Sequence, residues 1–403
     1  MKKVLFLSHY FPPEVNAPAR RTYEHAIKWI DNGLEVTVIT NHPNHPQGKL
    51  YEGYRNRWLS KEQIDGIDVV RVKTFITPNR GMLKRGINFL FFMIMSVIAS
   101  LSVKKPDVVI ATSPQLFCGL AGTIIKRIKR APLILEIRDL WPDSIIAVGA
   151  LKECLIIKFL RRLEKYMYFS ANKIVTLTDK FKEHIESLGY PAGKIATIPN
   201  SFDLNHLGEM GMVYSELKGK DKFICSYIGT FGMAHNLEIV LQAAKLLQEI
   251  KGISFLLVGD GSEKSTIVDK CEKMELDNVD ILPLQPNDKI LKFYKLSSVG
   301  LIMLKDSYLF RSVVPSKMFE YMAVKTPLLM SVPEGEATTI VKKYDCGVLC
   351  DPDSPESLAE NIMHLFNNQD KLEYYGDNGY KAVMEKYNRG VFASKYQELI
   401  EAI

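Results

Sequence analysis

The sequence predicts an α/β chain built of two doubly wound units, each around a parallel sheet. Three observations carry that expectation. Short apolar runs of strand length alternate with segments of helical period along most of the chain, which is the pattern of βαβ units. A second series of the same kind starts near Phe223. The length, 403 residues, suits two or three domains rather than one core. The expected division is a first unit over 1–205, a second over 206–382, and a closing helix over 383–403 that folds back on the first unit. Two such units facing each other make a cleft, a favoured position for ligands.

In the first unit, residues 4–7 read as a buried strand, followed by a loop over 8–18. No glycine occurs before Gly33, so the glycine fingerprint of dinucleotide binding is missing, which argues against an NAD-dependent enzyme. Residues 20–30 form an amphipathic helix closed by Asn32-Gly33, and 35–40 a second strand. The loop over 41–48 holds two histidines and two prolines; without a carboxylate cluster nearby it reads as a substrate loop rather than a metal site. Further strands are expected at 68–72, 107–111, 133–137, 174–178 and 195–199, with helical segments between them. The run Glu136-Ile137-Arg138-Asp139-Leu140-Trp141-Pro142-Asp143-Ser144 packs charge beside Trp and Pro at the end of a strand, where active-site loops are commonly built.

Residues 86–103, GINFLFFMIMSVIASLSV, carry no charge and are bracketed by Lys84-Arg85 and Lys104-Lys105. The stretch just reaches the length of a transmembrane candidate. Strands of one sheet are expected on both sides of it, which excludes a single span. Two readings remain: a fully buried crossover helix, or a helix partly exposed in the membrane interface. The basic brackets suit anionic headgroups and favour the second. Lys126, Arg127, Lys129 and Arg130, then Lys152, Lys158, Arg161, Arg162 and Lys165, continue the basic theme, although each group alone reads as a solvated helix face.

In the second unit, strands are expected at 223–228, 255–258, 279–282, 299–303, 328–330 and 347–349, with helices at 237–250, 264–275, 287–296 and 355–367 and further helix over 371–403. The stretch that organises this unit is 313–331, VVPSKMFEYMAVKTPLLMS. Pro315 suits a first helical turn, Ser316 opens the helix, and Met318, Phe319, Met322 and Ala323 recur at helical spacing. Lys317 and Glu320, three apart, share one face near the helix start. A helix end, an ammonium and a carboxylate within one turn suit a phosphate and sugar hydroxyls, as in a nucleotide-sugar site. The alternative is an ordinary helix pair above packed core.

The formal net charge of +6 hides an asymmetry. Through Asp203 there are 30 Lys and Arg against 18 Asp and Glu; the remainder has 22 against 28. The basic half lacks the aromatic-plus-basic pattern of a nucleic-acid module, so no nucleic-acid partner is expected. Contact with an anionic membrane surface is the better reading. The six cysteines show no CxxC and no Cys/His metal spacing, which points to a reduced, cytosolic chain. The opening MKKVLFLSHYF has too short an apolar run for a signal peptide.

Several stretches, taken in order, resemble the retaining glycosyltransferases of family 4, with the GT-B architecture of two Rossmann-like domains around an interdomain cleft. They are Phe11-Pro12-Pro13-Glu14 with Arg21, Gly33 to Val38, Arg138-Asp139-Leu140-Trp141-Pro142, Ile198-Pro199-Asn200, Gly229-Thr230, Val258-Gly259-Asp260-Gly261, and Pro315-Ser316-Lys317 with Glu320, Tyr321 and Ala323. The likeness covers essentially the whole chain. It is nearest to the surface-polysaccharide and O-antigen subgroup that includes N-acetyl-L-fucosamine transferases.

The resemblance implies a nucleotide-diphosphate sugar, by family habit a UDP-sugar, held by the second domain. The donor residues it implies are Gly229, Thr230, Gly259, Asp260, Arg311, Ser312, Ser316, Lys317 and Glu320. Lys305 is a lesser candidate for charge. Glu320 resembles the second acid of the family's Glu-x7-Glu motif; the first acid's place is taken by Ser312. Many members carry Arg directly after the glycine at 229 and Lys five residues later; here these are Thr230 and His235, so Lys317 and Arg311 must supply the positive charge. Asp139 stands where the family often faces the donor sugar and joins Lys317 and Glu320 as a catalytic candidate. Glu14, Arg21, Arg138 and Trp141 are the expected acceptor-side lining of the cleft. The implied activity is metal-independent, retaining transfer of an N-acetylated amino or deoxyamino sugar to a polyprenyl-diphosphate-linked saccharide in O-antigen or capsule synthesis. The implied location is peripheral, on the cytoplasmic face of the inner membrane, with no cofactor beyond the donor itself. Two alternatives stay open: a UDP-sugar epimerase of the same fold, and a membrane-associated assembly partner without catalysis, for which Ser312, Thr230 and His235 argue.

Overall fold

The computed structural model describes residues 1–77, 82–208 and 222–403. The chain separates into two compact units, one of Met1–Pro199 with Arg389–Ile403, the other of Asn200–Asn388. The first division falls at Pro199 rather than 205, and the return to the first unit starts at Arg389 rather than 383.

The sheet of the first unit is built from β1 (Lys3–Leu7), β2 (Glu35–Asn41), β3 (Leu59–Ile64), β4 (Ile67–Val72), β5 (Val108–Thr112), β6 (Leu133–Ile137), β7 (Lys173–Thr176) and β8 (Ile195–Thr197). Its order is β3-β4-β2-β1-β5-β6-β7-β8. All pairs are parallel except the β3–β4 hairpin at the edge. Strand β3 is an addition to the sequence expectation. Its residues LSKEQI alternate only weakly, as an edge strand half in water does. The central strands β1, β5 and β6 are largely apolar and almost fully buried, as a sheet covered on both faces requires. Glu136 is the exception within β6.

Helices α1 (Ala17–Asp31), α2 (Met82–Ser100), α3 (Leu116–Lys129), α4 (Asp143–Ala147), α5 (Leu155–Ser170) and α6 (Asp179–Ser187) connect these strands. Helix α1 starts three residues earlier than its apolar period suggests. Asn16 caps it, its side-chain oxygen accepting from the Ala19 N–H at 2.9 Å, and Pro18 occupies the first turn. Helix α2 runs from β4 to β5 of one sheet and packs on α3, β2 and β4. It is therefore a crossover helix and not a membrane span. Phe92, Met95 and Ala99 are buried on its inner face.

The second unit holds β9 (Phe223–Thr230), β10 (Ile253–Asp260), β11 (Val279–Leu282), β12 (Val299–Met303), β13 (Leu328–Ser331) and β14 (Gly347–Cys350). All are parallel, in the order β11-β10-β9-β12-β13-β14. Around them lie α7 (Asn205–Gly208), α8 (Glu238–Leu246), α9 (Lys264–Lys273), α10 (Asn287–Leu296), α11 (Lys317–Ala323), α12 (Glu336–Tyr344), α13 (Pro355–Asn367) and α14 (Asp370–Lys386). Strand order reverses direction between β9 and β12. In open α/β sheets such a reversal leaves a crevice beyond the strand C-termini, where ligands bind.

The last helix, α15 (Arg389–Glu401), belongs to the first unit and packs on α1. The Trp29 indole N–H donates to the Ala393 carbonyl at 3.0 Å, and Tyr396 meets the Trp29 ring edge-on at 5.1 Å. Arg389 pairs with Glu24 at 3.2 Å, both buried. All six cysteines are free thiols, four of them buried.

Candidate active site

The reversal point of the second sheet is where its unusual residues gather. Strand β9 ends at Gly229-Thr230 and β10 at Gly259-Asp260, paired in register. Glycine is required at both ends. A Cβ on Gly259 would lie 1.8 Å from the Gly229 carbonyl oxygen. A Cβ on Gly229, whose φ is +143°, would lie 2.8 Å from the Lys317 ammonium. The glycine at 229 thus leaves the space that the lysine fills.

Lys317 is 9% exposed. Its Nζ sits 3.5 Å above the centroid of the Tyr227 ring, a cation–π contact. Among the described residues it has no hydrogen-bond acceptor. Burial drives its pKa down to about 7, with Glu320 opposing the shift. A buried ammonium with three unused donors is costly unless something anionic completes it.

His235, at the position where a second lysine is common in the resembling family, brings no charge. Its Nδ1–H donates to the Met303 carbonyl at 3.0 Å, which ties the loop after β9 to the end of β12. Burial, and then the nearby Lys317, push its pKa down to about 3. Thr230 is exposed beside it, and its carbonyl accepts from the Tyr227 hydroxyl at 2.7 Å.

Glu320 faces a different partner than its spacing from Lys317 suggests. The hydroxyl of Tyr294, on α10, donates to its Oε2. Tyr294 stacks edge-on against Tyr321 at 4.5 Å, and the Tyr321 hydroxyl donates to the Ser226 carbonyl at 2.8 Å. A chain of buried phenols therefore fixes the carboxylate from below. Tyr294 and Tyr227 fall on apolar phases of their elements, so sequence reading places them in core. Their hydroxyls, which a buried phenol must satisfy, are the signal that finds them.

The other predicted donor residues divide. Asp260 accepts from the Gly261 N–H at 2.7 Å and lies 4.0 Å from Lys264. Arg311 is exposed, its guanidinium 5.8 Å from the Tyr308 ring. Ser312 is buried and turns its hydroxyl onto the Leu309 carbonyl at 2.5 Å within a short 3-10 turn. Ser316 has helical angles (φ −60°, ψ −31°) and makes no capping bond. Helix α11 starts at Lys317 and has seven residues, so the positive character expected of a helix start rests on the lysine.

In the first unit Glu14 lies in the loop after β1, Arg21 on α1, and Arg138, Asp139 and Trp141 after β6; Glu14 and Arg21 are turned inward. Arg21 is buried with its Nε on Glu136 at 3.0 Å and its two terminal nitrogens on the carbonyls of Pro199 and Ile198, each at 3.0 Å. Glu136 also accepts from Thr112 at 2.7 Å, and despite burial its pKa is lowered by Arg21 and Arg138. Arg21 is thus the counter-charge of a strand carboxylate and clamps 198–199. The family resemblance implies it as cleft lining; the structure turns it inward instead. Glu14 is buried too. Its Oε1 accepts the N–H groups of Asn44 and His45, at 3.0 and 2.9 Å, and burial raises its pKa to about 7. Arg138 keeps Nε and one terminal nitrogen buried without an acceptor among the described residues, and burial lowers its pKa to about 9. Asp139 is pushed up to about 6 by burial, against a hydrogen bond from Ser144. Trp141 is half-buried beside it.

One face of the first unit is apolar and basic together. Neighbouring α2, α3 and α5 expose Leu90, Ile94 and Ile98, then Ile128, then Leu155 and Phe159. Helices α2 and α3 contain no acidic residue, and the one acid of α5, Glu164, is buried against the Tyr168 hydroxyl. Leu83–Ser100 is long and apolar enough to cross a membrane, yet only 39% of it is buried. The fully buried crossover helix is thereby excluded; one face packs and the other is open.

Comparison with known proteins agrees with this architecture. The family described as "Glycosyl transferase 4-like domain" matches residues 16–201, and "Glycosyl transferases group 1" matches 214–382. Among curated proteins, WcaI of Escherichia coli (strain K12), named for colanic acid biosynthesis, is 24% identical, with 89% of this chain and 91% of that protein covered. CapM of Staphylococcus aureus, named a capsular polysaccharide biosynthesis glycosyltransferase, is 22% identical over 76% of this chain and 79% of that protein. Among solved structures, a sucrose-phosphate synthase from Thermosynechococcus elongatus superposes with a TM-score of 0.77 at 15% identity, with all of both chains covered. Anabaena HepE in complex with UDP-glucose gives 0.72 at 15% identity, again with full coverage of both. Residues 16–201 are a glycosyl transferase 4-like domain and 214–382 a group 1 glycosyl transferase domain, and the chain is a glycosyltransferase of the GT-B fold.

Proposed function

We propose that the chain moves a sugar from a UDP-sugar, with retention at the anomeric carbon, onto a polyprenyl-diphosphate-linked saccharide during assembly of a surface polysaccharide. The observation that carries this reading is Lys317. A buried ammonium without an acceptor, at the reversal point of the second sheet, suits the diphosphate of a nucleotide. The UDP and UDP-glucose complexes of HepE and the polysaccharide names of WcaI and CapM support it.

As the bond from the anomeric carbon to the diphosphate breaks, charge gathers on the leaving oxygen. A fixed cation at that position stabilises the transition state more than the ground state. Lys317 has the geometry for this, and a bound diphosphate would hold it protonated. Glu320, anchored by Tyr294, accepts from the ribose hydroxyls. The Gly229-Thr230 backbone approaches the phosphates closely because no side chain intervenes. Asp139 orients the transferred sugar, and the donor phosphate takes the acceptor proton. No divalent metal enters this scheme.

The exposed apolar face of α2, α3 and α5 rests on the cytoplasmic membrane, where basic residues around it meet anionic headgroups. That puts the protein where a lipid-linked acceptor is. The sugar we propose is an N-acetylated amino or deoxyamino hexose.

The test is mass spectrometry of products after incubating the protein with a panel of UDP-sugars and short polyprenyl-diphosphate saccharides, with and without EDTA. A lipid-linked product of unchanged anomeric configuration, formed equally with EDTA, is expected. Interconversion of the UDP-sugar without an acceptor would replace the reading by an epimerase. No turnover with any pair, and none changed by Lys317→Ala, would leave a non-catalytic partner.

A further inference from the structure

The first unit holds a recess that none of the preceding roles uses. It opens at the C-terminal ends of β1 and β2, next to the point between β1 and β5 where this sheet reverses its order. Its enclosed volume is about 20 Å³, and the rest of it is open to solvent. His9 and Tyr10 come from the loop after β1, Asn44 and His45 from the loop after β2, and Arg85 and Asn88 from the first turns of α2.

Among the described residues the lining is rich in donors and contains no acid. The Asn41 amide lies 3.0 Å from His9 Nε2, and its oxygen accepts from Thr74 at 2.9 Å. The amide therefore donates to Nε2, and the His9 proton sits on Nδ1. That N–H is buried against the Asn88 side chain, with which the ring hydrogen-bonds. His9 is 3% exposed and wedged edge-on between Phe89 and Phe92, so it cannot turn toward water. Arg85 is exposed at the rim and leans over the Phe89 ring at 5.8 Å. The Glu14 carboxyl is taken up by the backbone N–H groups of residues 44 and 45.

Arg85 and Asn88 also stand at the head of the open apolar face of α2. Ile87, Leu90, Ile94 and Ile98 continue from them along the exposed side. At ~1.5 Å per residue that stripe is roughly 16 Å long, the reach of a few isoprene units. A ligand that is anionic at one end and hydrocarbon at the other fits this juxtaposition; a free nucleotide or sugar uses only half of it.

We propose that this recess binds the diphosphate of the lipid-linked acceptor, with the prenyl chain laid along the exposed face of α2 into the membrane. The inference rests on the acceptor class proposed above and assigns it a seat. Arg85 is the charged contact, at the rim. Such charge-assisted contacts are the strong ones. The recess then sorts acceptors by their anionic head, while the saccharide beyond the diphosphate remains open to reaction.

The test uses the full chain with saturating UDP, so that the Lys317 site is occupied. Binding of a short polyprenyl diphosphate is titrated against wild type and Arg85→Gln, with inorganic diphosphate and the neutral prenol as probes. Arg85→Gln is expected to weaken the polyprenyl diphosphate at least tenfold, to leave the UDP dissociation constant unchanged, and to leave partition into vesicles largely intact. Equal binding of the prenol would overturn the proposal in favour of a hydrocarbon patch. Inorganic diphosphate binding as tightly would overturn the lipid assignment. Transfer to a lipid acceptor whose KM ignores Arg85→Gln would sink the recess and spare the transferase; Arg85-dependent binding without transfer from any donor would do the reverse.

Discussion

Replacing Lys317 with Met should make the protein more stable and less functional at once. The ammonium is held in a buried site at a pKa of about 7 instead of 10.5. Between pH 7 and 10.5 the folded chain therefore carries fewer protons on this residue than the unfolded chain does. Stability of the wild type rises with pH across that window, and the full handicap applies below pH 7. At pH 7 the handicap is on the order of 4 kcal/mol at ~1.4 kcal/mol per pKa unit. Methionine fills a similar volume without charge and forfeits the contact with Tyr227, worth ~1–2 kcal/mol when desolvated. The net gain is on the order of 2 kcal/mol, or several degrees in melting temperature for a unit of this size. Affinity for UDP should move the other way. Losing hydrogen bonds from a cation costs ~1.5–3 kcal/mol, roughly 10- to 150-fold in dissociation constant. Wild-type affinity should also fall as pH rises above 7, because the unliganded lysine gives up its proton there, and the variant should lack that slope. Thermal denaturation from pH 6 to 10 and calorimetric titration with UDP read both effects. A variant that melts earlier at pH 7 and binds UDP as before would refute the reasoning.

Tyr294→Phe removes the hydroxyl that fixes Glu320; KM for the donor should rise about tenfold, the value of one hydrogen bond to a charged group, while kcat changes less. Arg21→Met leaves Glu136 buried without its counter-charge; unfolding of the first unit, followed by the fluorescence of its Trp29, should be easier by ~3–5 kcal/mol. Ile94→Glu with Ile98→Glu puts two carboxylates on the open face of α2; flotation with anionic vesicles should be lost while the UDP dissociation constant stays put, and retained flotation would remove α2 from the membrane contact.

Much of the fold was legible because parallel strands covered on both faces are written as apolar runs. The six strands of the second sheet and the inner strands of the first were found that way. The edge strand 59–64 was not, since its polar residues LSKEQI obscure the alternation. A different signal marked it. Asp65-Gly66 separates it from β4 by two residues, both with positive φ (46° and 84°), as a tight hairpin requires. Lys317 and Glu320 were legible from spacing, but the depth of the lysine was not. That depth depends on Gly229 and Tyr227, nearly ninety residues earlier in the chain. Arg21 is expected at the cleft until β6 is seen to carry a carboxylate inside the sheet. The stretch 86–103 could not be resolved into buried or exposed by composition, because α2 is apolar on both sides and only the sheet beneath it distinguishes the two.

The chain leaves its first unit at Pro199 and re-enters it at Arg389. A ribosome must therefore finish the second unit before it supplies the helix that roofs Trp29. In the interval, one flank of the earlier-made sheet assembly lies open to solvent, with the indole N–H still lacking the Ala393 carbonyl and the Glu24 carboxylate still lacking Arg389. A nascent chain stalled anywhere between those two points would present chaperones with a completed-looking domain whose last seam is still unsewn.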